Sequence, residues 1–285
     1  MRRLVTAIVA SGVLVGALAG AAVAALSLHA DVRPGFTKDD GLLVILAIGS
    51  DIGPPQRPGD PLKGRADGIH LIAVDPEAQR ATIVNFPRDS LVRGNKVNAQ
   101  LVYGGPEQLK AALEEYTGIG IDYWALTTFR GLENMAEKME GVEVVIDQPM
   151  HSKDAGSHFD PGPARLNGPD SLAYLRDRKS QPRGDFDRTR HHGDFMRFVH
   201  AQLRAEQSDL PQLVRMLATF TSNTATDIPA DQLLPLAFLA LEIEPEDVLQ
   251  VPLSGGLGST SGGASIVRLA PGDTFEKIKA GQVGP

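Results

Sequence analysis

The chain has no cysteine among its 285 residues, so neither a disulfide framework nor a cysteine-ligated metal can organise it. That absence is compatible with an oxidising compartment and with the cytoplasm alike. Aromatic residues are scarce, at 5% with a single tryptophan, and the formal net charge of −7 argues against bulk nucleic-acid binding. No nucleotide P-loop, Gly-x-Ser-x-Gly elbow, zinc signature or internal repeat occurs. What is present, 42% hydrophobic and 22% charged residues, is the composition of an ordinary globular protein with room for one large domain or two small ones.

Charge is also missing from one long stretch. After Arg2 and Arg3, Leu4 to Leu28 carries no charged residue, long enough for one membrane span at about 1.5 Å of rise per residue. Two leading arginines on the cytoplasmic side place everything after His29 outside. The expectation is therefore a single-pass anchor (1–29), a short polar tether (30–40) and an extracytoplasmic domain (41–285) at the cell membrane. A cleaved signal peptide, with small-residue sites near Ala22 to Ala25, is the competing reading.

Apolar runs then alternate with helical patterns. Leu42 to Ile48 predicts a central strand, and Ile69 to Val74 with Ala81 to Phe86 predicts a hairpin around Asp75 and Pro76. Val92 to Ala99 reads as irregular and Tyr103 to Gly105 as a turn, with Pro106 opening a helix that Gly118 ends. Ile121 to Leu126 reads as a strand, and Thr128 caps a helix with Leu132, Met135 and Met139 inward. Val142 to Ile146 returns as a strand, His151 to Arg165 reads as an exposed loop, and Asn167 to Arg176 as a helix. A helix follows from about Arg188 to Ala205, burying Phe195, Phe198 or Val199, and Leu203. Pro211 to Phe220 and Pro229 to Leu241 are apolar helices, Val248 to Leu253 and Ser265 to Leu269 strands, and Ser254 to Ala264 a mobile Gly/Ser loop. Strands alternating with helices predict an α/β fold, a mixed central sheet with helices on both faces.

The stretch from Arg65 to Pro106 places charged corners around the hairpin. Antiparallel pairing brings the entry of one strand and the exit of the other to one sheet end, making Asp67 and Arg88 neighbours, and an acid beside a guanidinium there suits a metal-bound phosphate. Asp51 and Asp67 flank a loop, Ile52 to Gly64, with four prolines and three glycines. That loop can fold both carboxylates onto one hard cation such as Mg²⁺; equally, Asp51 can cap a turn while Asp67 pairs with Arg65. A second basic centre, eight Lys or Arg against five Asp or Glu from Arg165 to Arg197, reads by composition alone as a solvated face. His151 and His158 match no helical face and read as surface histidines.

In order along the chain stand GSD (Gly49 to Asp51), RAD (Arg65 to Asp67), FPRDS (Phe86 to Ser90), KVNAQLVYGGPE (Lys96 to Glu107), LRDR (Leu175 to Arg178) and GDFDR (Gly184 to Arg188). Together they resemble the catalytic domain of LytR-CpsA-Psr proteins, from about Leu42 to at least Leu203. The resemblance implies an Mg²⁺-dependent transfer of a glycopolymer phosphate from a polyprenyl diphosphate carrier to peptidoglycan, releasing polyprenyl phosphate. It implies Asp51 and Asp67 as metal ligands, Arg88, Arg176, Arg178 and Arg188 with Arg65 beside them as a diphosphate clamp, and Asp89 as a base or the partner of Arg88. Catalytic roles thus fall to Arg88 and Asp89. The tail of such a carrier requires an apolar groove, and no nucleic acid is implied. The alternatives are a non-catalytic lipid-binding or scaffold protein of wall assembly and a hydrolase of the lipid diphosphate. Two departures stand out: Ile52 where many members have arginine, and His191, His192 and Gly193 where the family often has Arg-Gln-Gln. His191 is the expected replacement donor, which makes activity fall as pH rises.

Overall fold

A computed structural model describes residues 41–52, 59–206, 210–260 and 262–285. The expected anchor and tether lie outside the described residues. Among the described residues no helix is long and apolar enough to cross a membrane.

Three strands carry the frame: β1 (Leu43–Ser50), β2 (Ala66–Asp75) and β3 (Arg80–Asn85), consecutive antiparallel neighbours. The β2–β3 turn pairs Asp75 with Arg80, and the Asp75 carboxylate accepts the N–H groups of Glu77 and Ala78 at 2.9 Å, a turn-forming use of an aspartate. After β3 come a small hairpin, β4 (Leu91–Val92) and β5 (Asn95–Lys96), the helix α1 (Val97–Thr117), β6 (Tyr123–Thr128) and α2 (Phe129–Lys138). Thr128 caps α2 as expected, its side chain accepting from Gly131 N–H at 3.1 Å. Next are β7 (Val142–Ile146), β8 (Met150–Ser152), β9 (Ser157–Phe159), β10 (Gly162–Leu166), α3 (Gly168–Arg176) and α4 (Asp185–Ala205). The chain closes with α5 (Leu210–Asn223), β11 (Thr224–Thr226), α6 (Leu233–Glu242), β12 (Val248–Pro252), β13 (Gly255–Ser259), β14 (Ser265–Leu269) and α7 (Thr274–Lys279). The six-stranded main sheet runs β11-β6-β1-β2-β3-β12 and is mixed, because β1–β6 and β3–β12 are parallel.

Strand alternation divides the chemistry of this sheet. On one face Val44, Leu46, Ile48, Leu71, Ala73, Val84 and Phe86 pack with Leu101, Leu109 and Leu113 of α1 and Phe275 and Ile278 of α7. On the other face, Leu43, Ile45, Ala47, Gly68, His70, Ile72 and Val74 look into a cavity roofed by α2, α4, α5 and α6. The expected mixed sheet with helices on both faces is what the chain forms.

Four expectations need correcting. The segment Val92 to Ala99 is not irregular: it holds the β4–β5 hairpin, and α1 starts at Val97, nine residues before Pro106. The helix is kinked at Gly104 and Gly105, the latter at φ 73°, so glycine chemistry read as a turn is a break inside a longer element. His151 to Arg165 is no loop either, since β8 pairs with β9 and β10 with β7. The Gly/Ser stretch contains β13, which pairs with β14 from Gly255↔Leu269 to Ser259↔Ser265; backbone pairing there overrides a composition poor in strand formers. Leu46, fully buried in the face that meets α1, tests this core: Leu46→Ala is expected to cost about 2–5 kcal/mol, read as a drop in denaturant midpoint without change in slope.

Candidate functional site at the head of an apolar cavity

The site begins with an irregularity in β1–β2 pairing. Gly49 pairs with Gly68 but Ser50 with Ala66, which leaves Asp67 as the extra residue of a bulge. A bulge re-aims one side chain, and it does so here beside the β3 exit. Asp67 Oδ1 accepts from Arg88 Nη1 at 2.7 Å. Arg88 is held through its backbone as well: its carbonyl accepts the Asn98 N–H at 3.1 Å, and its neighbour Ser90 accepts that of Val97 at 2.7 Å, which ties the segment to the start of α1. Burial opposes the Arg88 charge, but Asp67, with Asp185 and Asp89 behind it, outweighs that and raises its pKa.

Asp51 meets the loop return. It accepts the Arg65 N–H at Oδ1, 2.7 Å away, while its own N–H donates to the Arg65 carbonyl at 3.0 Å. The turn-capping alternative for Asp51 is therefore realised, whereas the pairing of Asp67 with Arg65 is not, because Asp67 is turned to Arg88. The Arg65 side chain is exposed at the rim. Asp89 pairs with Lys96 at 2.9 Å rather than with Arg88, a correction that follows from the β4–β5 hairpin bringing Lys96 back to it.

The second basic segment arrives from α3 and α4. Arg176 ends α3 with its guanidinium 5.2 Å from the centre of the Phe129 ring, a cation–π contact. Asp177 between Arg176 and Arg178 is fully buried and accepts from the Ser157 hydroxyl at 2.6 Å and the Lys179 N–H at 3.1 Å. That carboxylate fixes the turn from which both arginines project; the composition of LRDR does not reveal it. Arg188, only 4% exposed, lies 2.6 Å from Asp185 in the first turn of α4. Burial lowers its pKa, Asp185 opposes this, and Arg88 and Arg178 add repulsion; a guanidinium nonetheless stays charged. Arg88 Nε and Arg188 Nε are buried donors without a hydrogen-bond acceptor, while Arg188 Nη2 is ion-paired with Asp185 Oδ1 at an angle outside hydrogen-bond geometry. Buried donors left open in a cationic cluster call for an anion with several oxygens.

Beneath this cluster the cavity measures about 630 Å³. Asp67, Arg176 and Arg188 line one end, with His70 and His192, and Ile45, Ile72, Leu132, Phe195, Val199 and Leu236 are among the apolar residues that line the rest. The two histidines were not anticipated. His191, the expected substitute donor, does not reach the cavity: it is fully buried against Tyr174, rings 5.1 Å apart, with Nε2 3.3 Å from Asp147. Successive helix residues are turned by about 100°, so only one of the pair can face the cavity, and it is His192. Gly193 is explained by crowding: a Cβ there would lie 2.4 Å from Gln250 Nε2 and 2.5 Å from Asn85 Nδ2. The surface reading of His151 and His158 holds, both being exposed, with Nδ1 atoms 3.0 Å apart across β8–β9. Among the described residues no three His, Cys, Asp or Glu side chains gather into a metal cage.

The chain is an αβα protein with arginines at one end of an apolar cavity. The sequence profile of the LytR_cpsA_psr family matches residues 20–280, and the chain belongs to that family. Among curated proteins it is 29% identical over 195 residues to a polyisoprenyl-teichoic acid–peptidoglycan teichoic acid transferase, TagU of Bacillus cereus, covering 66% of this chain and 61% of that one. It is 33% identical over 168 residues to the probable cell wall biosynthesis protein LcpB of Corynebacterium glutamicum, covering 57% of this chain and 37% of the other. The matches thus span under two thirds of those relatives. Among solved structures, B. subtilis TagV superposes with a TM-score of 0.71 at 21% identity over 86% of this chain and 97% of that one. TagT bound to LIIa-WTA gives 0.67 at 19%, over 88% and 94%. At these identities the superpositions establish the fold.

Alanine normally favours a helix over glycine by about 1 kcal/mol. Gly193→Ala is expected to reverse that sign and destabilise by about 1–3 kcal/mol, because its methyl overpacks the Asn85–Gln250 contact; thermal melts of the two proteins decide it.

Proposed function

We propose that this protein is a phosphotransferase that moves a glycopolymer phosphate from a polyprenyl diphosphate-linked carrier to peptidoglycan, releasing polyprenyl phosphate. The single observation that carries the reading is the cavity itself: an apolar chamber of about 630 Å³ that ends on Arg176, Arg188 and Asp67, with unsatisfied guanidinium donors at that end. Its shape and polarity suit one ligand class, a lipid with an anionic head. Family membership and the activity for which TagU is named support the choice of carrier and acceptor.

In this reading Arg88 and Arg188 take non-bridging oxygens of the diphosphate, with Arg176, Arg178 and Arg65 closing around the outer phosphate. Guanidinium forks suit this because they donate in a plane and keep their charge when desolvated. An acceptor hydroxyl oxygen attacks the glycopolymer-side phosphorus, the bond to the bridging oxygen breaks, the hydroxyl proton passes to the departing phosphate oxygen, and polyprenyl phosphate leaves along the cavity. Positioning and charge neutralisation supply most of such catalysis. Asp89, paired with Lys96 at 2.9 Å, is a positioning residue that holds the β4–β5 hairpin beside Arg88.

Asp51 and Asp67, hard oxygen donors from the two strand ends, fit a cation that uses one or two carboxylates and completes its shell with phosphate and water, as Mg²⁺ does; they do not fit a cation requiring a full protein cage. When bound, Mg²⁺ would neutralise charge on the diphosphate. The anchor expected in residues 1–29 would keep the chain at the membrane where the carrier resides.

The deciding assay supplies the full chain in detergent with a polyprenyl diphosphate sugar, with and without Mg²⁺ and a peptidoglycan acceptor. Metal-dependent appearance of sugar phosphate on the acceptor supports the transferase, release without transfer makes it a hydrolase, and tight binding without turnover makes it a scaffold. Arg88→Ala is expected to abolish turnover while the far-ultraviolet circular dichroism stays unchanged; a folded variant with full turnover would remove Arg88 from the site.

A further inference from the structure

At the junction of the arginine cluster and the apolar lining, two imidazoles converge. His192 Nε2 lies 2.7 Å from the Leu175 carbonyl; a carbonyl only accepts, so Nε2 carries the proton and Nδ1 presents a lone pair. His70 Nδ1 lies 2.6 Å from Asn85 Oδ1, which likewise places the His70 proton on Nδ1 and leaves Nε2 as an acceptor. The free nitrogens point to one place. A Cβ built on Gly68 would stand 3.3 Å from His70 Nε2 and 3.4 Å from His192 Nδ1, and the ring centres are 5.4 Å apart. Neither free nitrogen has a hydrogen-bond partner among the described residues, and both rings line the cavity. Gly68, having no side chain, leaves that place open to a ligand.

The occupant follows from the order of groups along the cavity. Asp67 and Arg188 lie on the outer side, and Ile72 and Val74 continue inward along β2. An amphiphile with its tail among the apolar residues sets the phosphate nearest that tail against the histidine pair. Two lone pairs facing phosphate oxygens repel unless a proton lies between them. We propose that His70 and His192 form the seat of the lipid-side phosphate and take up a proton when it binds. This rests on the function proposed above and adds to it a proton-linked recognition of the phosphate that the product, polyprenyl phosphate, retains.

The surroundings fix the direction. The charged and titratable groups that act on the pair are Arg188 and His191 from α4, with Asp67 from β2 and Arg176 at the end of α3 lining the same cavity and Arg88 and Asp185 beside Arg188. Burial, with Arg188 nearby, holds His70 down at about 4 despite its bond to Asn85. Burial, then His70 and Arg188, holds His192 well below the ordinary value. Both rings are neutral in the free protein near pH 7. A phosphate monoester brings a charge of roughly −1.5 to −2, and one negative charge about 5 Å from an imidazole in a partly solvated site favours its protonated form by about a hundredfold. That lifts His70 from about 4 to about 6, so near pH 5 it is protonated when bound and neutral when free. Affinity is therefore highest in acid and falls as pH rises, by up to about tenfold per pH unit between the free and bound values.

The test is titration calorimetry of the full chain with farnesyl phosphate at about pH 5, midway between the free and bound values, in two buffers of different ionisation heat. The native protein is expected to take up about one proton per ligand more than the variant His70→Met/His192→Gln, which loses both free nitrogens. The glutamine amide can still donate to the Leu175 carbonyl, and His192→Gln alone, keeping His70, serves if the double variant fails to fold. Proton spectra of the histidine rings give a readout independent of substitution: a ring that becomes protonated on ligand addition supports the proposal. Equal proton uptake by native and variant proteins, with rings that stay neutral, overturns it while leaving the lipid-binding function standing. No binding of farnesyl phosphate from pH 5 to 8 overturns that function and this inference together.

Discussion

The ion pair of Asp67 with Arg88, at 2.7 Å, is the contact on which the site depends. It joins the strand that enters the hairpin to the segment that leaves it, and it exists because a bulge at Gly49/Ser50 turns Asp67 out of register. Without the extra residue, the period of two along β2 would send Asp67 to the face that packs on α1. Instead the carboxylate reaches the cavity end, balances Arg88 and lets Arg88 stand near Arg188 despite their repulsion. Glycines permit the close approach: a Cβ on Gly49 would meet the Gly68 nitrogen at 3.3 Å. The resulting arrangement keeps three charged side chains at the head of an apolar chamber while leaving the Nε donors of Arg88 and Arg188 open.

Much of this was legible in the sequence because it rests on local signals. The apolar run of β1, the Asp75 turn, the Thr128 cap and the Gly118 stop each have a nearest-neighbour cause, and antiparallel pairing brought Asp67 and Arg88 to one sheet end, where the unforeseen bulge turns them together. The errors share a different cause. The β13–β14 and β8–β9 pairings occur where composition favours loops, so backbone hydrogen bonds between segments, absent from any local window, decide them. The kinked α1 hides its first turns in the polar residues Asn98 and Gln100, buried for packing reasons a sequence does not declare.

The site was legible as a set of arginines and acids, less so as a geometry. Asp89 turned to Lys96 because a two-residue hairpin follows it, and Asp177 became a buried anchor because Ser157 from β9 donates to it. His70 and His192 escaped notice for a similar reason. Separated by more than a hundred residues, they meet only when α4 lies across β2, and Gly193 sets how closely it lies by admitting Asn85 and Gln250 in place of a side chain. The substitution at His191 drew attention by its place in the motif, yet the helical turn assigns the cavity to its neighbour.

The chemistry of the cavity is ordered by two elements that run through the same gradient. Along β2, Asp67 and Gly68 give way to His70, Ile72 and Val74; along α4, Arg188 gives way to His192, Phe195, Val199 and Leu203. The strand reaches it with period two and the helix with steps of three and four, so charge faces charge, imidazole faces imidazole, and hydrocarbon faces hydrocarbon. Neither sequence pattern alone specifies an amphiphile, since a charged strand end and a cationic helix start are each commonplace. Laid against one another they define a chamber that, apart from His200 and Glu206 further along its wall, is charged at this end and mostly hydrocarbon beyond the histidines. A ligand matched to it must change polarity at the same point, and that point is where Gly68 leaves room between two histidines.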